Sequence, residues 1–230
     1  RDIGGKPMIQ RVYEQAQKSR ATQVLIATDD ERIAAAVKQF GGVCCMTRAD
    51  HSSGTDRLQE VAQQQGWNDD TIVVNVQGDE PLIDPQMIDS LATNMIEQTG
   101  LKLATLIRRI EDAADLSNPN VVKVVINRNN EAMYFSRQAI PFVRDFPVDS
   151  WLEHGVYYKH VGMYAYTSQA LMAIEKLHMH PYEALEKLEQ LTWIAHGLSI
   201  ECYETNMESI GIDTEEDLKA VTSMIAELED

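Results

Sequence analysis

Apolar runs and helically spaced apolar residues alternate along the first part of the chain. Short β-branched runs predict buried strands, and apolar residues three or four positions apart predict amphipathic helices. The predicted elements are a helix from Pro7, strands at 24–27, 43–46 and 71–76, helices over 33–40 and 54–65, and a helix from Pro85. This alternation is typical of an α/β fold with a mostly parallel, Rossmann-like sheet flanked by helices.

Beyond residue 101 the predicted strands follow one another more closely. They cover 103–107, 121–126, 132–136 and 157–166, with a turn at 127–130 and an exposed loop at 145–155. Helices over 168–177 and 182–194, a strand at 199–203 and an amphipathic helix complete the chain. We expect one domain over 1–230 with an α+β insertion over 101–166. The insertion carries apolar residues that predict a dimer surface, namely Met133, Phe135, Ile140 and Phe142.

Composition limits the partners. The chain has 230 residues, of which 44% are hydrophobic, and a formal net charge of −16. This charge opposes binding to a nucleic acid, although it does not exclude a small nucleotide. The cysteines, Cys44, Cys45 and Cys202, are too few for a disulfide framework, and no apolar run is long enough to cross a bilayer. We therefore expect a cytoplasmic protein without membrane insertion.

The predicted strand at 71–76 ends in the sequence Gln-Gly-Asp-Glu-Pro, which places Asp79 and Glu80 at its exit. Open α/β sheets bind ligands at the carboxyl ends of their strands. Carboxylate oxygens in that position suit Mg²⁺, which is commonly shared between protein acids and substrate phosphates. The alternative is an acidic, solvated turn, and this segment alone does not decide between the two.

Five segments, in this order along the chain, resemble the signatures of the 3-deoxy-manno-octulosonate cytidylyltransferase family. They are 47–58 (TRADHSSGTDRL), 75–81 (NVQGDEP), 134–137 (YFSR), 188–191 (LEQL) and 211–214 (GIDT). The resemblance implies a nucleotide-diphospho-sugar transferase fold, a homodimer and a Mg²⁺-dependent reaction. In that reaction the anomeric hydroxyl of 3-deoxy-manno-octulosonate (Kdo) attacks the α-phosphate of CTP, giving CMP-Kdo for lipopolysaccharide biosynthesis and pyrophosphate.

The resemblance also implies roles for individual residues. Asp79 and Asp213 are the implied catalytic residues and Mg²⁺ ligands, although the sequence around Asp213, taken alone, favours a helix cap before Thr214 over a metal ligand. The nucleotide would contact residues around a helix start and one strand end, namely Arg48, Ser53, Gly54, Thr55, Arg57 and Gln77. The alternative for these is a capping box of Ser53 and Asp56 between solvated arginines.

The sugar acid has its own implied set, Arg137, His160, Tyr164, Glu189 and Gln190. The planar guanidinium of Arg137 suits a carboxylate, and His160 and Tyr164 share one face of a predicted strand. The other readings are a surface arginine, a half-buried strand face and a solvated helix surface.

The chain departs from the family pattern at two points. The family opens with a strand and a basic loop, P-A-R-x-x-S-x-R-L-P-G-K, whereas this sequence opens on Arg1 and leads into a turn and a helix. We expect N-terminal sequence to be missing, and a molecule that truly began at Arg1 to bind CTP poorly. The family also has an arginine where this chain has Thr192.

Three other functions stay open on the sequence alone. The enzyme could use a related 2-keto sugar acid, such as 8-amino-Kdo or a sialic acid, or the chain could be a truncated, non-catalytic nucleotide-sugar binder. A glycosyltransferase would need an Asp-x-Asp motif. The chain has only the adjacent pairs Asp29–Asp30 and Asp69–Asp70.

Overall fold

The computed structural model describes residues 1–51, 53–98, 100, 102–212 and 214–229, the last without its side chain. The helices in this part of the chain are α1 Met8–Ala16, α2 Glu31–Gln39, α3 Gly54–Gln65, α4 Pro85–Glu97, α5 Ala113–Ser117, α6 Ser168–Ile174, α7 Pro181–Glu186, α8 Gln190–Ala195 and α9 Glu215–Glu229. The strands are β1 Asp2–Ile3, β2 Lys6–Pro7, β3 Ile26–Thr28, β4 Cys44–Met46, β5 Ile72–Asn75, β6 Leu103–Arg109, β7 Lys123–Ile126, β8 Ala132–Ser136, β9 Tyr158–Thr167 and β10 Glu201–Glu204.

Helix α3 confirms the sequence-based bounds at both ends. The Ser53 hydroxyl accepts a hydrogen bond of 3.1 Å from the Asp56 backbone N–H, which satisfies a donor that the helix itself leaves open. Gly66 ends the helix with a left-handed φ of 64°, which costs a residue without Cβ little. These two caps fix where α3 starts, and so fix the position of Gly54 and Thr55.

The main sheet is mixed, and the expectation of a mostly parallel sheet was wrong. The long strand β9 pairs antiparallel with β5, β6 and β7, and among the strands that the structure describes in this sheet only β10 and β6 form a parallel pair. Strands β3 and β4 form a separate parallel pair. The alternation of strands and helices predicts parallel pairing only for strands that are connected through a helix. It carries no information on β9, which belongs to the second half of the chain and pairs with β5 over a long sequence separation.

Two further expectations needed correction. The helix predicted over 182–194 is two helices, α7 and α8, because Lys187 adopts a left-handed φ of 55° between them. The loop predicted at 145–155 contains a 3₁₀ helix, Val148–Glu153, which buries Trp151. Burial of that indole against Tyr157 and Ile110 gives an apolar anchor to a segment whose sequence shows no period.

Strand β9 separates two apolar clusters because its side chains alternate between the faces of the sheet. Tyr164 and Tyr166 point to one face, where they pack with Trp193. Met163 and Ala165 point to the other face and pack with α4 residues such as Leu91. Polar groups on the tyrosine face therefore meet α3, α8 and β8. No helix in the described part of the chain is long and apolar enough to span a membrane.

Candidate active site

The half-buried carboxylate of Glu189 joins the start of α3 to the start of α8. It accepts hydrogen bonds of 3.0 Å from the Ser53 hydroxyl at one oxygen and from the Thr55 hydroxyl at the other. Thr55 itself is buried, and its hydroxyl lies 3.5 Å from that of Tyr166. The carboxylate therefore fixes the first turn of α3, whose open backbone N–H groups are suited to an anion.

Burial raises the pKa of Glu189 to about 7, although the hydrogen bonds from Ser53 and Thr55 act in the opposite direction. The negative charges of Asp56 and Glu183 add to the rise. Because the pKa is close to neutral, this side chain can change its protonation state near the pH at which most enzymes work.

Three aromatic residues of β9 lie side by side near this carboxylate, and we call them the β9 wall: His160, Tyr164 and Tyr166. The His160 ring centre lies 5.2 Å from that of Tyr164, and Tyr164 lies 5.9 Å from Tyr166. His160 Nε2 lies 3.0 Å from the Thr105 hydroxyl. Burial lowers the pKa of His160 to about 4, so its imidazole is neutral at pH 7. A neutral ring can both donate and accept a hydrogen bond.

The Tyr164 hydroxyl is buried and has no hydrogen-bond partner within the described residues. Burial raises the pKa of this phenol well above its ordinary value, so it stays protonated and able to donate. Native structures seldom leave a buried polar atom without a partner, and one that does so at a cluster of polar groups suggests a binding site. Tyr164 is therefore the structural feature that points most directly to a ligand.

Lys123 and Glu186 hold Arg137 in place through hydrogen bonds to its backbone and side chain. The Lys123 ammonium, which is fully buried, donates 2.6 Å to the Arg137 carbonyl and 2.9 Å to that of Asn118. The guanidinium of Arg137 donates 2.7 Å from Nε to the Glu186 carbonyl and 3.0 Å from Nη1 to that of Pro119. The arginine is thus a braced side chain rather than a freely moving surface cation.

Asp79 lies in the turn after β5, and Asp213 lies outside the described residues. The segment that leads to position 213 does reach Asp79, because the Ile212 N–H donates 3.0 Å to the Asp79 carbonyl. Burial raises the pKa of neighbouring Glu80, and the negative charge of Asp79 adds to this. The described residues contain no group of three or more His, Cys, Asp or Glu side chains close enough to hold a metal. Carboxylate oxygen at Asp79 is the donor type that Mg²⁺ prefers.

The two arginines implied in nucleotide binding are engaged with acids near the entrance to α3. Arg57 lies 3.2 Å from Asp29 and also contacts the Thr47 hydroxyl. The Arg48 side chain is exposed, while its backbone N–H donates 3.0 Å to Glu60. Together with His51, that N–H lowers the pKa of Glu60 to about 2. Arg57 is therefore half-buried on the inner side of the loop before α3, whereas the Arg48 side chain lies on the exposed side of this loop.

The remaining implied residues have simpler positions. Gln77 is exposed in the loop after β5, and Gln190 is buried as the first residue of α8. Gly54 is exposed at the start of α3, where an added Cβ would make an ordinary contact, 3.7 Å from the Asn75 amide. Thr192, where the family has arginine, is buried, and its hydroxyl accepts 2.8 Å from the His180 N–H and contacts Glu183. It braces α7 against α8.

Sequence reasoning missed Lys123, Glu186, Thr105 and Tyr166 as parts of this site. Lys123 did carry a signal, since it is the one charged residue in the apolar run 121–126 and a buried lysine needs acceptors. Glu186, which accepts 3.0 Å from the Arg137 N–H and 2.7 Å from the Ser136 hydroxyl, carried none. Its contact depends on the break between α7 and α8.

Comparison with known proteins gives a consistent result. A family model described as cytidylyltransferase matches residues 1–205. The chain is 48% identical to a 3-deoxy-manno-octulosonate cytidylyltransferase from Psychromonas ingrahamii, over 98% of this chain and 91% of the relative. It is 46% identical to one from Parabacteroides distasonis, over 98% and 90%. The solved structure of a CMP:2-keto-3-deoxy-manno-octonic acid synthetase complexed with CTP matches with a TM-score of 0.90 and 41% identity, over 99% of this chain and 90% of the other.

Proposed function

The chain belongs to the 3-deoxy-manno-octulosonate cytidylyltransferase family, and from this premise we propose the reaction and the roles of its residues. The reaction is the transfer of CMP from CTP to Kdo. The anomeric oxygen of Kdo forms a bond to the α-phosphorus, and the bond from that phosphorus to the bridging oxygen of the β-phosphate breaks. Pyrophosphate leaves, and the hydroxyl proton passes to solvent.

This chemistry needs reactants held in line and negative charge neutralised, and it does not need a nucleophile from the protein. The first turn of α3, fixed by Glu189, supplies backbone N–H groups at Gly54 and Thr55 for the nucleotide. Arg48 and Arg57 stand near this turn as cations, and the exposed Gln77, in the loop after β5, would contact the nucleotide as well.

The sugar acid binds against the β9 wall. The Tyr164 hydroxyl, buried and without a described partner, is the single observation that carries this placement. A sugar hydroxyl would complete its hydrogen bonding, and neutral His160 would hold a second one. Arg137, braced by Lys123 and Glu186, would hold the carboxylate of the sugar acid with its remaining donors. Gln190 adjoins this region at the start of α8.

Asp79 and Asp213 would hold Mg²⁺ between the end of β5 and the turn before α9. The support is the backbone hydrogen bond from Ile212 to Asp79, which brings the chain up to position 213 to the first acid, together with the preference of Mg²⁺ for carboxylate oxygen. When bound, the ion would draw charge from the α-phosphate. We include a homodimer in the proposal, with the exposed Met133 and Phe142 at its surface. Phe135, which the sequence also assigned to this surface, is instead fully buried in the core and cannot contribute to it.

The test follows CTP in an assay that resolves the products by ³¹P NMR. With CTP, Kdo and Mg²⁺ we expect CMP-Kdo and pyrophosphate in equal amounts, and a much lower rate with 8-amino-Kdo or a sialic acid. Faster turnover of either analogue would assign the enzyme to that sugar. Calorimetry with CTP and CMP-Kdo identifies the remaining alternative, because a non-catalytic binder would hold CMP-Kdo and form no pyrophosphate.

A further inference from the structure

The chain between β4 and α3 folds back along α3 and contacts it at successive helix turns. We call its residues 47–51 the β4–α3 loop. Gln64, in the last turn of α3, donates 3.1 Å to the carbonyl of Met46 at the end of β4. Two turns nearer the start of the helix, Arg57 donates to the Thr47 hydroxyl. The loop therefore lies along the helix whose first turn belongs to the candidate site.

The carboxylate of Glu60 makes the central contact between the loop and the helix. Its Oε2 atom accepts 3.0 Å from the Arg48 N–H and also contacts Nε2 of His51. Its Oε1 atom accepts 2.9 Å from Gln64. Because the Arg48 N–H and His51 lower the pKa of Glu60 to about 2, the carboxylate is ionised at neutral pH and can only accept. The His51 nitrogen that contacts it must therefore carry the proton.

The imidazole of His51 is almost completely covered by the protein. Its side chain is 5% exposed, whereas that of Arg48 is 68% exposed. A carboxylate that orients an imidazole is also the arrangement of a catalytic pair, in which the ring must reach a reacting atom. A ring with so little exposed surface is instead confined to its contact with Glu60. The effect of the pair is therefore on the position of the loop.

The outer side of the β4–α3 loop is open to a ligand. The Arg48 side chain is exposed, and the backbone groups of Ala49 and Asp50 make no hydrogen bond to any residue that the structure describes. Since α3 also carries the N–H groups of Gly54 and Thr55, a loop fixed to α3 keeps a constant position relative to them. A released loop would occupy this position only part of the time, and the apparent affinity for a ligand falls by that fraction.

We propose that His51 and Glu60 are positioning residues for nucleotide binding, which hold the β4–α3 loop where Arg48 and the open backbone groups can contact CTP. This inference rests on the proposed function and goes beyond it, since His51 and Glu60 act without contacting the ligand themselves. It requires that loss of either residue weakens the binding of CTP and leaves the binding of Kdo, against the β9 wall, unchanged.

The test is calorimetry of the 230-residue chain with CTP and Mg²⁺, and separately with Kdo. Glu60→Ala removes both loop contacts and should weaken CTP binding at least about tenfold, equivalent to about 1.4 kcal/mol. His51→Ala removes one contact and should weaken it about three- to tenfold. His51→Gln should restore the affinity to within about twofold of the wild type, because its amide nitrogen can donate from nearly the place of Nε2. Without ligand, NMR hydrogen exchange of the Arg48 amide should be faster in Glu60→Ala.

Asp89→Ala is the matched control. Asp89 is likewise a helix carboxylate that holds a loop, since it accepts 2.7 Å from the Arg20 N–H and lies 3.4 Å from the Arg20 guanidinium. Its loss should lower the stability in urea about as much as Glu60→Ala does and should leave the CTP affinity unchanged. If Glu60→Ala does not fold, the comparison of His51→Ala with His51→Gln decides the question.

The possible failures are distinguishable. A wild type that does not bind CTP overturns the proposed function and this inference with it. A wild type that binds CTP, together with a folded Glu60→Ala or His51→Ala that binds it equally well, overturns only the inference. The inference is also overturned if His51→Gln binds as weakly as His51→Ala. Equal losses of affinity for CTP and Kdo, or a loss of CTP affinity in Asp89→Ala, would show a general effect of stability and overturn it too.

Discussion

The hydroxyl of Ser53 donates a hydrogen bond of 3.0 Å to Glu189, a residue 136 positions further along the chain. The same hydroxyl accepts the Asp56 N–H and so caps α3. The Ser53 hydroxyl therefore both caps the start of α3 and makes the long-range contact that joins two of the five family signatures. The sequence predicts the cap, but it does not predict that Ser53 donates to Glu189.

Glu189 should make the protein less stable as the pH rises from about 4.5 to about 7. Its pKa is raised from 4.5 to about 7 by burial, so the folded state holds a proton that the unfolded state has released in that range. Folding then loses free energy with increasing pH, of the order of 3 kcal/mol across the window. Urea unfolding of the wild type and of Glu189→Gln at pH 4.5, 6 and 7.5 measures this slope.

The Gln variant keeps the size and one acceptor of the side chain but does not titrate, so its stability should lack this downward component. A parallel series on Glu153→Gln, an exposed acid in the 3₁₀ helix, serves as the control and should reproduce the wild-type slope. Equal slopes for wild type and Glu189→Gln would contradict the assignment of a raised pKa to Glu189.

His160 should act in the opposite direction. Burial lowers its pKa from 6.5 to about 4, so the folded state excludes a proton that the unfolded state takes up as the pH falls through this range. Stability from this residue is complete above pH 6.5 and is lost as the pH falls to about 4. The effects of Glu189 and His160 therefore oppose each other near pH 5 to 6 and should partly cancel in the wild type.

The comparison of His160→Asn with Glu189→Gln separates the two. Of these two effects, His160→Asn should remove the loss of stability towards acid that His160 causes and keep the fall towards neutral pH that Glu189 causes. Glu189→Gln should do the reverse. Because Asn leaves a small cavity, the overall level will also drop, and the slope rather than the level is the measured quantity. A His160→Asn slope equal to that of the wild type below pH 6 would show that the imidazole does not titrate abnormally.

Local rules predicted a large share of this fold. Helix α3 was predicted with both ends correct, because its caps, Ser53 and Gly66, are defined within a few residues. The break at Lys187 was not predicted, since a lysine in a left-handed conformation has no sequence signal and is maintained by the tertiary contacts of α7 and α8. The same limit explains the direction of β9, which depends on pairing with strands far away in the chain.

The candidate site was predicted through the family resemblance more than through physical pattern. The sequence pattern alone does not mark His160 and Tyr164 as ligand-binding residues, because the same pattern is typical of any half-buried strand. The folded structure marks them, because the Tyr164 hydroxyl is buried and has no hydrogen-bond partner among the described residues. The roles of the implied residues remain predictions, and Asp213, outside the described residues, is the one on which the metal site most depends.

Arg137→Lys should raise the KM for Kdo and leave the KM for CTP near its wild-type value. Lysine keeps the positive charge but loses the planar fork, and it cannot replace the donors that Arg137 presents to Glu186 and Pro119 while also reaching a carboxylate. We expect an increase of about ten- to a hundredfold, the cost of one or two charge-assisted hydrogen bonds. Steady-state kinetics with each substrate varied in turn measures it.

Arg144→Lys is the matched control, because Arg144 is almost fully exposed and pairs only loosely with Asp145. Its kinetic constants should equal those of the wild type. A rise in the KM for CTP of the same size as that for Kdo in Arg137→Lys would place the arginine at the nucleotide instead of the sugar acid.

Asp79→Asn should lower turnover about a hundred- to a thousandfold and raise the Mg²⁺ concentration needed for half-maximal activity. The amide keeps the shape of the side chain but lacks the charge that holds a divalent ion. Asp149→Asn removes an exposed carboxylate from the 3₁₀ helix Val148–Glu153 and should change neither quantity. Unchanged Mg²⁺ dependence in Asp79→Asn, measured by titrating the metal at saturating substrates, would rule out Asp79 as a metal ligand.

Lys123→Met should destabilise the fold and disturb Arg137 from behind. The methionine fills nearly the same volume but cannot donate to the carbonyls of Asn118 and Arg137, which the buried ammonium now satisfies. Two buried acceptors without partners cost about 2–4 kcal/mol of folding free energy. Part of this cost is offset in the variant, because methionine does not have to leave water as a charged ammonium group does when the wild type folds. Denaturant unfolding should therefore show a net loss, and Lys38→Met, at an exposed position on α2, should show none.

The KM for Kdo distinguishes a role of Lys123 in positioning Arg137 from a role in the stability of the fold alone. If Lys123 positions Arg137 through its carbonyl, the KM for Kdo should rise in Lys123→Met at a temperature where the variant is fully folded, while the KM for CTP stays constant. Lys123→Arg, which restores the charge and the donors in a larger side chain, should recover part of the affinity for Kdo. A variant that is less stable but kinetically normal would reduce Lys123 to a core residue with no part in holding the sugar acid.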